Sequence, residues 1–171
     1  MRNILIIAFI VLAAAAAGYG LAGKGTGDKS EGTANIELGN TTTTAVRGVL
    51  NLSGQGLTKA PAYIFARTDI EELNLSNNSL DGALQAEVRQ LQNLKVLNLS
   101  NNKFTGVPAE IGQLKNLEVL NLSNNRLTGL PYELGNLSKL KLLDLSGNAY
   151  SEADLAKIRA SLPSSTVIKT Q

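Results

Sequence analysis

The sequence predicts an α/β solenoid: a right-handed coil of about five repeats with a short parallel β-sheet along one side, a helical cap at the C-terminal end and a hydrophobic helix at the N-terminus. Three observations carry that prediction. A Leu-Asn-Leu or Leu-Asp-Leu block occurs five times, at Leu50-Asn51-Leu52, Leu73-Asn74-Leu75, Leu97-Asn98-Leu99, Leu120-Asn121-Leu122 and Leu143-Asp144-Leu145, with starts 23, 24, 23 and 23 residues apart. Proline and glycine recur between the blocks, as in Thr105-Gly106-Val107-Pro108, where a chain making parallel strands must double back. After the last block, Leu155, Ile158 and Leu162 share one side of a helical run that Pro163 ends.

Each block sits in a longer motif, L-x-x-L-x-L-x-x-N-x-L. The second copy fills it with Ile70, Leu73, Leu75, Asn78 and Leu80, and the third with Leu94, Leu97, Leu99, Asn102 and Phe104. The fourth uses Leu117, Leu120, Leu122, Asn125 and Leu127, the fifth Leu140, Leu143, Leu145, Asn148 and Tyr150. In the first copy Arg47 replaces the leading apolar residue and Gln55 the asparagine, which marks it as the end of the stack. This period and motif resemble the leucine-rich repeat family. The resemblance implies a solenoid whose sheet lines a concave, ligand-facing side, and a short exported protein of bacterial type, because the disulfide-bonded caps common in exported eukaryotic members have no cysteines to form them here.

Alternation within L-x-L puts both leucines on one face of an extended segment and the residue between them on the other. One strand cannot bury that face alone, so successive copies must stack on a shared core. Every leucine so buried is worth about 1.5–3 kcal/mol. The chain leaves each strand by a turn with backbone groups to satisfy, and inward-pointing Asn78, Asn102, Asn125 and Asn148 are expected to bond them in a ladder, as the family does.

The returns Thr105–Gly112 and Thr128–Gly135 contain proline and glycine and are expected to form short turns and 3₁₀ pieces. The return from Asp81 to Leu91 lacks proline, carries one extra residue and is expected to be more helical. Ser151-Glu152-Ala153-Asp154 reads as a capping box that opens the terminal helix, and Thr166-Val167-Ile168 as a strand beside the last coil.

Residues 1–23 read as a signal peptide or a transmembrane anchor. Ile4 to Gly23 hold no charge, long enough to span a bilayer, while Ala15-Ala16-Ala17 suits signal-peptidase cleavage. Either reading places the repeats outside the cytoplasmic membrane, anchored in the first case if the segment stays uncleaved and secreted in the second. Residues 24–45 read as a flexible, glycine-rich linker followed by an irregular N-terminal cap around Ile36, Leu38 and Thr41-Thr42-Thr43-Thr44, residues 46–150 as the repeats, and residues 151–171 as the C-terminal cap. Sixteen basic against fourteen acidic residues give a net charge of +2, and nucleic acid is not an expected partner.

The absence of histidine and cysteine removes the commonest general base, the thiol nucleophile and the usual zinc ligands. Ser53, Ser76, Ser100, Ser123 and Ser146 occupy one repeated position and read as small residues for close packing. Neighbouring Glu71 and Glu72 point to opposite sides of a strand and make no acid–base pair. Glycines fall singly, so there is no phosphate-binding loop. No catalysis, cofactor or metal is expected.

Binding is therefore expected on the outward strand positions, which line the concave face in the family resembled. One column runs Val49, Glu72, Val96, Val119 and Leu142, the next Asn51, Asn74, Asn98, Asn121 and Asp144. The candidate partner contacts are Glu72, Asn74, Val96, Asn98, Val119, Asn121, Leu142 and Asp144, an exposed apolar strip flanked by polar groups. Glu71, Lys95, Glu118 and Lys141 alternate in sign and read as a structural ladder. Repeated Asn-Leu-Ser sequons are by-products of the motif. The expected function is a monomeric module that binds a protein or peptide; the alternative is a structural or adhesive surface protein that binds glycan or cell-wall polymer through the asparagine and aspartate column.

Overall fold

The structure, a computed structural model, describes residues 34–38, 41–45 and 48–171, the first two segments by their backbone. The run expected as signal or anchor, residues 1–23, lies outside the described residues. Among the described residues no helix is long and apolar enough to cross a membrane.

Two strands, β1 (Ala34–Leu38) and β2 (Thr41–Ala45), pair antiparallel, with Ala34 opposite Ala45 and Leu38 opposite Thr41. The threonine run is thus the second strand of a hairpin. The repeats follow as β3 (Val49–Asn51), β4 (Glu72–Asn74), β5 (Asp81–Gly82), β6 (Val96–Asn98), β7 (Lys103–Phe104), β8 (Val119–Asn121) and β9 (Leu142–Asp144). After them come helix α1 (Glu152–Ser161) and β10 (Val167–Lys169). Six of these strands form one sheet, ordered β10-β9-β8-β6-β4-β3. All of its pairings are parallel and in register.

That register converts the repeated leucines into a column. Leu50, Leu73, Leu97, Leu120 and Leu143 stand opposite one another across the sheet, each buried to within 1% of full exclusion from solvent. Leu52, Leu75, Leu99, Leu122 and Leu145 form a second buried row, and Ile70, Leu94, Leu117 and Leu140 a third. The core is therefore one hydrocarbon mass running the length of the stack. At its C-terminal end Leu155, Ile158 and Leu162 of the cap cover it. Ser151 caps α1, its side chain accepting from the Asp154 N–H, as the capping-box reading expects.

Each motif asparagine is a hub between coils. The Asn102 amide donates to the carbonyls of Leu75, Leu99 and Ser100, and its oxygen accepts from the Leu80 N–H. Asn125 repeats the pattern with Leu99, Leu122, Ser123 and Phe104, and Asn148 with Leu122, Leu145, Ser146 and Leu127. Asn78 reaches back to the Gln55 and Leu57 N–H groups, so the first coil is tied in although it lacks its own asparagine. The residue before each hub has a positive φ: 56° at Asn77, 55° at Asn101, 53° at Asn124 and 68° at Gly147. Asparagine is the non-glycine residue best suited to that left-handed backbone.

Four five-residue 3₁₀ turns return the chain, at Ala62–Ala66, Ala86–Gln90, Ala109–Gln113 and Tyr132–Asn136. The return expected to be more helical, the second, makes the same turn as the others. Its extra residue is taken up earlier, where Gly82 at φ 71° bends the chain and Asp81–Gly82 pairs with Lys103–Phe104. Gln85 adopts φ −66° before the turn, close to the −70° of Pro108, so proline is sufficient there but not required. The turns stack tightly: a Cβ on Gly112 would strike the Glu133 carbonyl, and one on Gly135 would lie 2.7 Å from the Ser161 Cβ.

Two stability measurements check this account. Asn125→Ala strands buried carbonyls and should lower the free energy of urea unfolding by about 1–3 kcal/mol for the orphaned groups. Gly112→Ala should cost about 3 kcal/mol through overpacking, whereas Gly106→Ala, with no atom within 4 Å of the added Cβ, should leave the transition nearly unchanged.

Candidate ligand-binding face of the sheet

The register that stacks the leucines inward also aligns the side chains facing away from the core. Val49, Glu72, Val96, Val119 and Leu142 form one row, and β10 extends it with Val167. Asn51, Asn74, Asn98, Asn121 and Asp144 form the next row, extended by Lys169. Neighbours in a row are separated by the strand spacing of about 4.8 Å. All eight residues expected to contact a partner therefore share one surface.

The apolar row is less open than an exposed strip. Val49, Val96 and Val119 are half-buried, and Leu142 retains only 7% of its exposure. Rows this closely spaced screen one another, and the longer Leu142 side chain sits between Val119 and Val167. Val167 has a neighbour on one side alone and is 54% exposed. Sequence reasoning anticipated the strand at Thr166-Val167-Ile168 but left Val167 and Lys169 out of the contact set; the signal was their distance from Leu142 and Asp144, which is close to the repeat period.

The polar row is built by a local bond. Asn51, Asn98 and Asn121 each accept, through Oδ1, both the N–H and the hydroxyl of the serine two residues on, at 2.8 Å from the hydroxyl. Asn74 accepts the Ser76 N–H. The repeated serine is thus a hydrogen-bonding partner as well as a small residue. Among the described residues the Nδ2 groups of these four asparagines have no acceptor, so they present a row of amide donors. Asp144 differs: its Oδ1 holds Ser146, and its Oδ2 lies 3.7 Å from the Lys169 ammonium.

Beside these rows the charge ladder closes in pairs, Glu71 with Lys95 at 2.7 Å and Glu118 with Lys141 at 2.6 Å. The hydrogen bond that the Lys95 ammonium donates to the Glu71 carboxylate, followed by that group's charge, holds it above the ordinary lysine value. On the return side Tyr132, 53% exposed, takes a hydrogen bond from Lys157 at 2.9 Å, and that ammonium lies 4.6 Å from the ring centre. The Tyr132 hydroxyl also lies 3.3 Å from Asp154. No periodicity links Tyr132 to the cap, so this cluster had no sequence signal.

Family models described as leucine rich repeats match residues 92–149 and 69–91. Residues 69–149 are leucine-rich repeats. A leucine-rich repeat protein of Leptospira interrogans is 41% identical over 66% of this chain and 28% of its own, with a TM-score of 0.61. The plant peptide hormone receptor RGFR1, solved in complex with RGF2, is 34% identical over 71% of this chain and 20% of its own, with a TM-score of 0.58. Receptor-like protein 18 of Arabidopsis thaliana is 41% identical over 56 residues. The chain spans only 7% of that relative's length and a minority of either solved chain.

The paired charges are exposed and should contribute little. Replacing Glu118 and Lys141 together by glutamine and methionine should shift the midpoint of thermal unfolding by no more than about 1 kcal/mol would, the upper range for exposed ion pairs, as calorimetry of the double variant will show.

Proposed function

We propose that the repeats are a non-catalytic binding module, displayed outside the cytoplasmic membrane, that takes a protein or peptide on the open face of its sheet. Glu72, Asn74, Val96, Asn98, Val119, Asn121, Leu142 and Asp144 are the contact residues. The observation that carries this reading is the juxtaposition of a half-buried apolar row with a row of unoccupied amide donors, since apolar surface beside polar groups marks interaction sites. An extended ligand presents what these rows lack: carbonyls for the amides and side chains for the valines. The likeness to a receptor solved with a bound peptide hormone supports the same reading.

A second reading keeps the surface and changes the ligand to a glycan or cell-wall polymer. It is favoured by sameness: Val96 and Val119, Asn98 and Asn121, and Ser100 and Ser123 repeat without variation, and a regular polymer offers identical groups at regular intervals. Display outside the membrane rests on the apolar N-terminal run and on the receptor-like relative.

Selection from a random displayed-peptide library on the full chain tests the leading reading. Selected peptides should lose binding to a Val96→Glu, Val119→Glu double variant, which should stay folded, since like charges opposite one another across strands cost only about 1 kcal/mol or less per pair. Peptides indifferent to the two substitutions would move the site elsewhere. Co-sedimentation with purified wall polymer, lost in an Asn74→Ala, Asn98→Ala, Asn121→Ala variant, would favour the second reading.

A further inference from the structure

One carboxylate on the open face makes no direct bond among the described residues. Glu72 is half-buried between Val49 and Val96 in its row. Among the described residues its carboxylate makes no ion pair and no hydrogen bond, while Lys95, whose ammonium feels the Glu72 charge only after that of Glu71 and Glu118, is held by Glu71 at 2.7 Å. A carboxylate between two apolar neighbours has lost part of its hydration without gaining a partner. A cation supplied by a ligand would restore that loss through a charge-assisted bond.

Spacing then constrains the ligand. From Glu72, the row reaches Val119 after two strands and Val167 after four, that is about 9.6 Å and about 19 Å at the usual strand separation. A fully extended peptide running along the row returns a side chain to the same side every second residue, about 6.8 Å. Its repeats at about 6.8 Å and about 13.6 Å both miss Val119, and only the third, at about 20 Å, approaches Val167. A polyproline-II chain returns one every third residue, about 9.3 Å, and again at about 18.6 Å. It also has no internal hydrogen bonds, so its carbonyls are free to meet the unoccupied amides of Asn74, Asn98 and Asn121 in the adjacent row.

We propose that the open face takes a peptide in the polyproline-II conformation, with a lysine or arginine on Glu72 and apolar side chains three and six positions along on Val119 and Val167. This deepens the peptide-binding reading and rests on it. Glu72 is the specificity-determining residue and the valines are the anchors. Val167, the most exposed apolar residue of the row, becomes the far end of the footprint.

The probe is a fluorescein-labelled seven-residue peptide with lysine first, leucine fourth and seventh, and proline or alanine between, titrated into the full chain and followed by anisotropy. The parent should prefer it about tenfold over the same peptide with glutamine first, a difference that a single charge-assisted contact supplies. A peptide with its leucines moved to the third and fifth positions should bind more weakly. Glu72→Gln should erase the preference for lysine, and Glu72→Lys should transfer it to a glutamate-first peptide, which excludes misfolding as the cause. Equal affinity for the lysine and glutamine peptides, a preference that survives Glu72→Gln, or no binding of the lysine peptide by the parent would overturn the proposal. If library peptides are nevertheless lost on the Val96→Glu, Val119→Glu variant, the face binds peptides by another rule and only this inference falls; if no library peptide depends on that face, both readings fall.

Discussion

The asparagine hub inside each coil is the constraint on which the rest of the molecule depends. A chain that leaves a strand and turns toward its return path exposes carbonyls that neither a helix nor a sheet will pair. Asn78, Asn102, Asn125 and Asn148 pair them, and each does so on two coils at once, its own and the one before. The distance from one coil to the next is therefore set by a side chain of fixed length. Once that distance is fixed, the in-register parallel sheet and the continuous leucine core follow from it.

The tight stacking divides labour between the two sides of the strand. Inward positions are filled by leucine in nearly every coil, because the coils above and below leave the same space each time. The far wall is as closely fitted, with Gly112 and Gly135 admitting the neighbouring turn or cap where a Cβ would collide. Only the outward strand positions escape these demands. They are where the row changes from valine to glutamate to leucine, and where a partner's chemistry can be selected without disturbing the core.

Most of the architecture was legible from the sequence because a stack repeats its own evidence. The leucine columns, the asparagine ladder, the 3₁₀ returns of the proline-bearing coils, the Ser151 cap and the pairing of Thr166-Val167-Ile168 beside the last coil all follow from residue type and spacing. What escaped depended on particular neighbours. The absence of proline before Ala86 looked like freedom to form a longer helix, but the stacked turns on either side impose the same geometry, and Gly82 absorbs the surplus residue. Leu142 looked as open as Val119, yet its length and its position between Val119 and Val167 on the neighbouring strands bury it. The serine hydroxyls and the left-handed Asn77, Asn101 and Asn124 are local devices whose partners lie two residues away or in the backbone itself.

The short last strand has a consequence for how copies of the protein coexist. A parallel stack ends in a rim of backbone donors and acceptors that another chain's strand would readily continue, the route by which edges seed sheet growth between molecules. Here that rim is three residues long and carries Lys169 on its outward face, tethered to Asp144 yet half open to solvent. An incoming strand would have to pack beside that cation, a charge of the kind that blunts sheet edges. The final rung thus completes the sheet and, by its brevity and its cation, discourages any molecule from becoming the next rung of another.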